Sequence, residues 1–352
     1  MKKLIFVLVF FLGCYGVVWA DTVGDINNDG QVGLEEAVHA LQVTSGMKTA
    51  TSSDSLTYDM EEYMEQAGCT YYYREIEYAS GEVRTGVGVH SLANETVNEQ
   101  AVLASTIEAG MWAGDVDYSV IGDAKIEYLG YKWGGDETYD WYDPPVVIGL
   151  RSIKTDDKIL NIFTNSYNKI RYREYTFLGI ENVTVPAGTF NDCIKILQKR
   201  SHNGICNISY KAKGIGTVKN TRSDASGNGY IQELTNVKKA DGTYLSDNTI
   251  CSGQGIWAAD GMTPNSGSLY MAYISQNLPI YTSVTLSGFS GWPNTFYLKS
   301  SDGSNFSPDP EAYSDLPDIS ITIENNQISG AYHYSDWDGN FMISLSGIMV
   351  CE

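Results

Sequence analysis

Short runs in which apolar and polar residues alternate recur through most of this 352-residue chain, and that period of two confines most of it to β structure with a buried sheet face. The clearest case lies near the C-terminus. Ile319, Ile321 and Ile323 alternate with Ser320, Thr322 and Glu324, Asn325-Asn326 turns the chain, and Ile328, Tyr332 and Tyr334 follow. Phe341, Ile343 and Leu345 repeat the pattern, and Asp336-Trp337-Asp338-Gly339 between them reads as a hairpin turn. Upstream, residues 70–78, 125–133, 159–163, 171–180 and 194–199 read as strands separated by Gly, Asn and Asp. A content of 25 Tyr, 7 Trp and 35 Gly suits antiparallel sheets, whose faces take bulky side chains and whose turns need a permissive backbone. Two stretches break the pattern. Residues 95–109 have a helical composition ended by Gly110, and Leu56, Met60, Tyr63 and Met64 are spaced for a short helix.

The stretch Asp25 to Glu36, DINNDGQVGLEE, carries the most specific chemistry. Asp25, Asn27 and Asp29 stand at loop positions 1, 3 and 5, Gly30 permits the sharp turn at 6, the Gln31 carbonyl points inward at 7, and Glu36 closes at 12. A hard cation takes six to eight oxygens, so this spacing predicts Ca2+ bound by Asp25, Asn27, Asp29, Gln31 and Glu36. A solvated turn capping the next helix would explain one or two acidic residues, but not the closing glutamate. Leu34, Val38 and Leu41 then recur at helical spacing up to Gly46. Residues 24–47 resemble the EF-hand-like loop-helix unit of dockerin modules, and the single calcium-loop segment near the start of many exported bacterial proteins. The positions with which dockerins recognise cohesin are here Leu34 and Glu35, and no second copy follows, so cohesin is not an expected partner.

Residues 1–20 read as a signal peptide: Lys2 and Lys3, an apolar run from Leu4 to Leu12, and Val18-Trp19-Ala20 before the cut. Lipid anchoring at Cys14 is the alternative, against a poor flanking sequence. The expected location is periplasmic, on the outer surface or secreted, with no transmembrane segment once the leader is removed. A formal charge of −20 repels phosphate backbones, which argues against nucleic acid as a partner.

Val183 to Lys195 reads VTVPAGTFNDCIK, Tyr210 to Asn220 reads YKAKGIGTVKN, and Tyr230 to Val237 reads YIQELTNV. With Tyr142-Asp143-Pro144-Pro145 upstream, residues 120–237 resemble a β domain recurrent in exported and lipid-anchored bacterial proteins of unknown activity. The resemblance implies a curved antiparallel sheet and a cell-envelope setting, but no reaction. Gly214 and Gly216 lack the following helix that a phosphate loop needs.

Five cysteines, Cys69, Cys193, Cys206, Cys251 and Cys351, remain after leader removal in a compartment where disulfides form. Joining Cys251 to Cys351 would tie the first strand of the last segment to its last; Cys193 and Cys206 flank another turn, and the connectivity stays open. Four scattered histidines give a hydrolase triad no anchor. Asp136 and Glu137, within YKWGGDETYDWYD, are the best paired carboxylates, and a solvated loop is their plainer reading.

The expected architecture is mainly β: a calcium loop-helix (21–47), a linker (48–55), a curved antiparallel sheet domain (56–240) and a β-sandwich-like domain (247–352). The expected function is that of an exported calcium-binding, non-catalytic structural or ligand-binding protein. The alternatives are a carbohydrate-binding or polysaccharide-active protein, which exposed coplanar aromatics in a groove would support, and a lipid or lipoprotein carrier, which needs an apolar cavity in the curved sheet.

Overall fold

The computed structural model describes residues 57–351 apart from 135–137, 202–203, 260–265, 276–278, 288–293, 314 and 337–338. The calcium loop, its helix, the leader and the linker therefore lie outside the described residues, as do Asp136, Glu137 and the centre of the 336–339 turn.

Twelve strands form the first barrel. They are β1 (Thr70–Ala79), β2 (Glu82–Val97), β3 (Gln100–Ala109), β4 (Val116–Ile121), β5 (Lys125–Lys132) and β6 (Tyr139–Leu150), then β7 (Lys158–Thr164), β8 (Ile170–Val185), β9 (Gly188–Arg200), β10 (Cys206–Ala212), β11 (Gly216–Ser223) and β12 (Gly229–Lys238). Each pairs antiparallel with its neighbours in sequence, and β1 pairs with β12 from Thr70↔Lys238 to Tyr78↔Gly229, which closes the cylinder.

Eight more strands repeat the plan: β13 (Thr249–Ala258), β14 (Ser266–Ser275), β15 (Ile280–Ser287), β16 (Asn294–Ser300), β17 (Asn305–Pro308), β18 (Ile319–Glu324), β19 (Gln327–Asp336) and β20 (Gly339–Cys351). Here β13 pairs with β20, and a Cys251–Cys351 disulfide lies across that closing seam.

Closure corrects the expected curved sheet followed by a sandwich. Alternation reports that a strand has one buried face; it carries no information on whether the first strand meets the last. Among the described residues there is no α-helix. The expected helix near Met60 is one 3-10 turn, Met60–Tyr63, although Met60, Tyr63 and Met64 are buried. The expected helix at 95–109 is the end of β2 and all of β3, reversing at Asn98 and Glu99, both at positive φ. Pairing across two long strands outweighs the weak helix preference of Ala, Leu and Glu.

In an antiparallel meander alternate connections gather at opposite ends. The incoming chain stoppers the end where β2–β3, β4–β5, β6–β7, β8–β9 and β10–β11 connect. Met60 and Met64 pack on Ile126, Val146, Phe177, Ile194 and Ile196. Arg151 grips Asp59 with two bonds of 2.8 and 3.0 Å. Glu65 is more deeply set: Lys211 Nζ lies 3.0 Å away and the Thr217 N–H donates at 2.9 Å. Burial works to raise its pKa, but Lys211 and Thr217 outweigh burial and hold it at about 2. At the two hairpin motifs on this end, Gly188, Gly214 and Gly216 all have positive φ, as a turn there demands. The double-glycine motif is thus a β10–β11 hairpin.

One stretch of the wall departs from regular pairing. Pro144 and Pro145 in β6 offer no N–H, and β6 meets β7 in a single backbone pair, Asp143↔Thr164. Asn161 fills the gap, accepting from Val147 N–H at 2.8 Å and donating to Val147 O at 2.9 Å.

The barrels pack side by side through an apolar contact of Tyr72, Val87, Val89 and Ala109 with Ile250, Ala272 and Tyr270. Gly86 admits Ser283 and Tyr297 of the second barrel where any Cβ would collide with them, and Val87 N–H donates to Ser283 Oγ at 2.9 Å.

Candidate functional site

At the end away from the stopper, the first barrel opens into a chamber of about 450 Å3. Strand parity explains its lining. Tyr175 and Phe177 of β8 are buried in the barrel core, so Arg173 and Arg171, at the same parity, line the chamber above them. Arg200 on β9 and Arg222 on β11 join them, with Tyr131, Trp133, Tyr142 and Phe163 as aromatic wall. Tyr167, Lys169 and Tyr172 complete the mouth.

Of these four arginines, Arg173, Arg200 and Arg222 are held by rings and amides. The Arg173 guanidinium carbon lies 4.8 Å from the Tyr142 ring centre and 5.3 Å from those of Tyr128 and Phe163, and Nη2 donates to the Tyr142 hydroxyl at 2.7 Å. Arg200 Nε donates to Gln198 Oε1 at 2.8 Å, and Arg222 stands over Trp112 at 5.4 Å. No ion pair among the described residues joins any of the three to a carboxylate. Burial, then repulsion from Arg173, pulls Arg200 below its ordinary range, and burial does the same to Arg222. A guanidinium stays charged regardless. The neighbouring acid, Asp117, is bonded to the Tyr128 hydroxyl, and burial raises its pKa against the influence of Tyr128, Arg173 and Arg200.

One acid faces the chamber itself. Asp140 is 5% exposed; its Oδ1 accepts from Ser166 N–H at 2.9 Å, and the Tyr131 hydroxyl hydrogen-bonds to its carboxylate. The chamber therefore presents concentrated positive charge.

Deeper in the barrel the polar lining continues. Gln198 donates to the Tyr175 hydroxyl at 2.6 Å, and Gln232 bridges His90 at 3.2 Å and Glu75 at 3.3 Å. Glu75 also accepts from the Tyr230 hydroxyl and from Met111 N–H. It fits because Gly88 and Gly110 leave room where any Cβ would strike its carboxylate. Burial raises Glu75 to about 7 and lowers His90 to about 4.

The aromatic stretch around Asp136 and Glu137 supplies the chamber with Tyr131, Trp133, Asp140 and Tyr142. The arginines and Glu75 escaped sequence reasoning. Their one signal was parity: Arg173 in YREYTF shares its face with Tyr175 and Phe177, so a charge stands on the apolar side of a strand. Among the described residues no three His, Cys, Asp or Glu cluster as a metal site.

On the outer wall, the Tyr139 and Trp141 rings stack at 5.1 Å and 5°, with Tyr139 exposed. The expectation asked for such a pair in a groove; this one stands on the outer wall, with Trp141 half-buried. The same outer wall bears Arg74, Glu174, Glu181 and Lys199. It also exposes the large apolar side chains of Leu160, Ile162, Leu178 and Ile180. Among the described residues no helix is long and apolar enough to cross a membrane.

No family model matches the chain, and no curated protein matches it in sequence. Among solved structures, it is similar to a proposed lipoprotein from Parabacteroides distasonis at 14% identity, with 50% of this chain and 98% of that one covered and a TM-score of 0.27. It is also similar to MucB in complex with periplasmic MucA, at 6% identity, covering 83% of this chain and 90% of that one, with a TM-score of 0.22. The MucA/MucB complex of Pseudomonas aeruginosa gives 8% identity over the same shares, again at 0.22. Overlap at this level does not define a shared fold.

Proposed function

We propose that this chain is an exported ligand-binding protein of the bacterial envelope or extracellular space, that its first barrel takes a small anionic ligand in the chamber, and that its N-terminal loop holds Ca2+. One observation carries the ligand reading: Arg171, Arg173, Arg200 and Arg222 converge on a cavity inside a chain of net charge −20, with no ion-paired carboxylate among the described residues. Burying like charges together is unfavourable unless an anion completes the group. The chamber volume falls in the range of small-molecule sites. Export rests on the leader pattern of residues 1–20, and calcium on the spacing of Asp25, Asn27, Asp29, Gln31 and Glu36.

A carbohydrate as that ligand is favoured by the aromatic wall. The lipid-carrier alternative asks for an apolar cavity in this barrel, and the chamber found there is lined by arginine, tyrosine and aspartate.

The test is thermal unfolding of the mature protein in millimolar sodium sulfate against sodium chloride of equal ionic strength. A ligand that binds only the folded state raises Tm. Wild type should gain, and Arg200→Gln should not; a wild type indifferent to sulfate defeats the anion reading. Calorimetric titration with calcium, beside Asp25→Ala and Glu36→Ala, tests the loop: one ion in wild type and none in either variant is expected.

A further inference from the structure

We infer that the β7–β8 hairpin docks the first barrel on an anionic phospholipid surface, a contact that goes beyond the chamber and does not depend on its ligand. Residues directly opposite in an antiparallel pair share a face, so the pairs Leu160↔Glu174, Ile162↔Tyr172 and Thr164↔Ile170 set Leu160, Ile162, Tyr172 and Ile170 side by side. Phe163, of the opposite parity on β7, is buried in the barrel core, so this row lies on the outer wall. Tyr167 stands at the hairpin tip. These five side chains are 47% to 75% exposed, and a contiguous apolar patch of this kind marks a surface that meets a partner.

Charge marks the same hairpin. From Lys158 to Arg173 the chain holds Lys158, Lys169, Arg171 and Arg173 and no acid, within a sequence of net charge −20. Arg173 is turned inward, Arg171 stands at the chamber mouth, and Lys158 and Lys169 are exposed. Asp143 and Glu174 border the patch, and Glu174 faces Lys199 across the β8–β9 pairing. Charges farther apart than about 8 Å are largely screened at physiological salt, so the hairpin meets a charged surface with its own sign and not with that of the whole chain.

The shape of the patch selects among anionic partners. The outer wall of a barrel is convex, and a second copy meeting it about a two-fold axis would press basic hairpin against basic hairpin along a narrow line. An acidic polysaccharide would answer the charge but bury neither the leucine nor the isoleucines. A bilayer yields around protruding side chains, takes Leu and Ile at the acyl boundary, and holds Tyr and Lys at the level of the headgroups. Docked in this way, the barrel carries its chamber mouth to the headgroup layer, because Tyr167, Lys169 and Tyr172 belong to both hairpin and mouth.

Vesicle flotation of the mature chain tests the contact, run in EDTA so that calcium bridges nothing between protein and lipid. The protein should float with vesicles of equal parts phosphatidylcholine and phosphatidylglycerol, and stay behind with phosphatidylcholine alone. Leu160→Ser and Ile162→Ser should each weaken binding about tenfold, the scale of burying one such side chain. Lys158→Ala should weaken it about fivefold, the scale of one basic residue at an anionic leaflet. None of these three residues lines the chamber, so the gain of Tm in sulfate should persist in all three variants, which separates a failure here from a failure of the anion reading. Absence of flotation with either vesicle overturns the inference, as does equal binding to both or binding that the serine variants leave intact. A dimer in sedimentation that the serine variants dissolve overturns it too, and gives the patch to a second copy of this chain.

Discussion

The two barrels follow the same meander plan and differ in what fills them. Eight strands enclose a space that side chains can fill, and the second barrel is packed by Trp257, Leu269, Met271, Val284, Leu286, Leu298, Phe306, Ile321, Ile343 and Leu345, with no charged side chain in that cluster. Twelve strands enclose more than side chains can fill. The first barrel takes in a segment of its own chain at one end, a polar network around Glu75 in the middle, and the arginine chamber at the other. Strand number thus decides which barrel is free to be a site and which is a packed body.

The largest expected effect is in the packed barrel. Replacing Cys251 and Cys351 by Ala removes a link between residues 100 apart, and the chain-entropy model predicts a loss of about 4 to 5 kcal/mol. Urea unfolding followed through Trp257 fluorescence reads it; an unchanged midpoint would show that closure of the second barrel rests on strand pairing alone.

The next effect belongs to the first barrel and depends on pH. Glu75 titrates near 7 in the folded protein against an ordinary 4.5. Between those values the folded state keeps a proton that the unfolded chain has released, so stability falls as pH rises through the window. Glu75→Gln should flatten this slope and stabilise the protein above pH 7 by up to about 3 kcal/mol. Parallel stability curves for variant and wild type from pH 4.5 to 8 would contradict the assignment.

Gly86→Ala places a methyl group against Ser283 and Tyr297, at the junction of the barrels. Overpacking there should lower stability by about 1 to 3 kcal/mol and separate the two melting transitions in calorimetry. A single unshifted transition would show that the contact yields easily. Smallest of all, Arg200→Gln should change stability by less than about 1 kcal/mol, since it relieves repulsion with Arg173 while leaving a neutral hydrogen-bonding side chain. A large loss in equilibrium unfolding would make Arg200 a structural residue.

Much of this molecule was legible locally. Strands around Ile319, Ile321 and Ile323 followed from alternation, and the turn at Asn325-Asn326 followed from two residues that tolerate positive φ, which both adopt. The reversal at Asn98-Glu99 was hidden because the flanking Ala, Leu and Glu favour helix in isolation; only pairing with Ala93 and Asn94 makes them strand. Closure was hidden for a similar reason, as Thr70 and Lys238 meet across the whole domain. The chamber required three arginines on three strands to converge, and no local pattern encodes convergence. Asp140 stood inside a stretch already marked by its tyrosines and tryptophans, yet its burial is a property of space.

The Cys251–Cys351 bridge also sets how the chain transmits force. Tension passing along the backbone from the first barrel reaches Cys251 and crosses the sulfur atoms directly to Cys351, so the strands between them lie outside the load path. A cut by a protease anywhere within those strands leaves both pieces covalently joined. The second barrel can therefore be strained or clipped without being lost from the molecule.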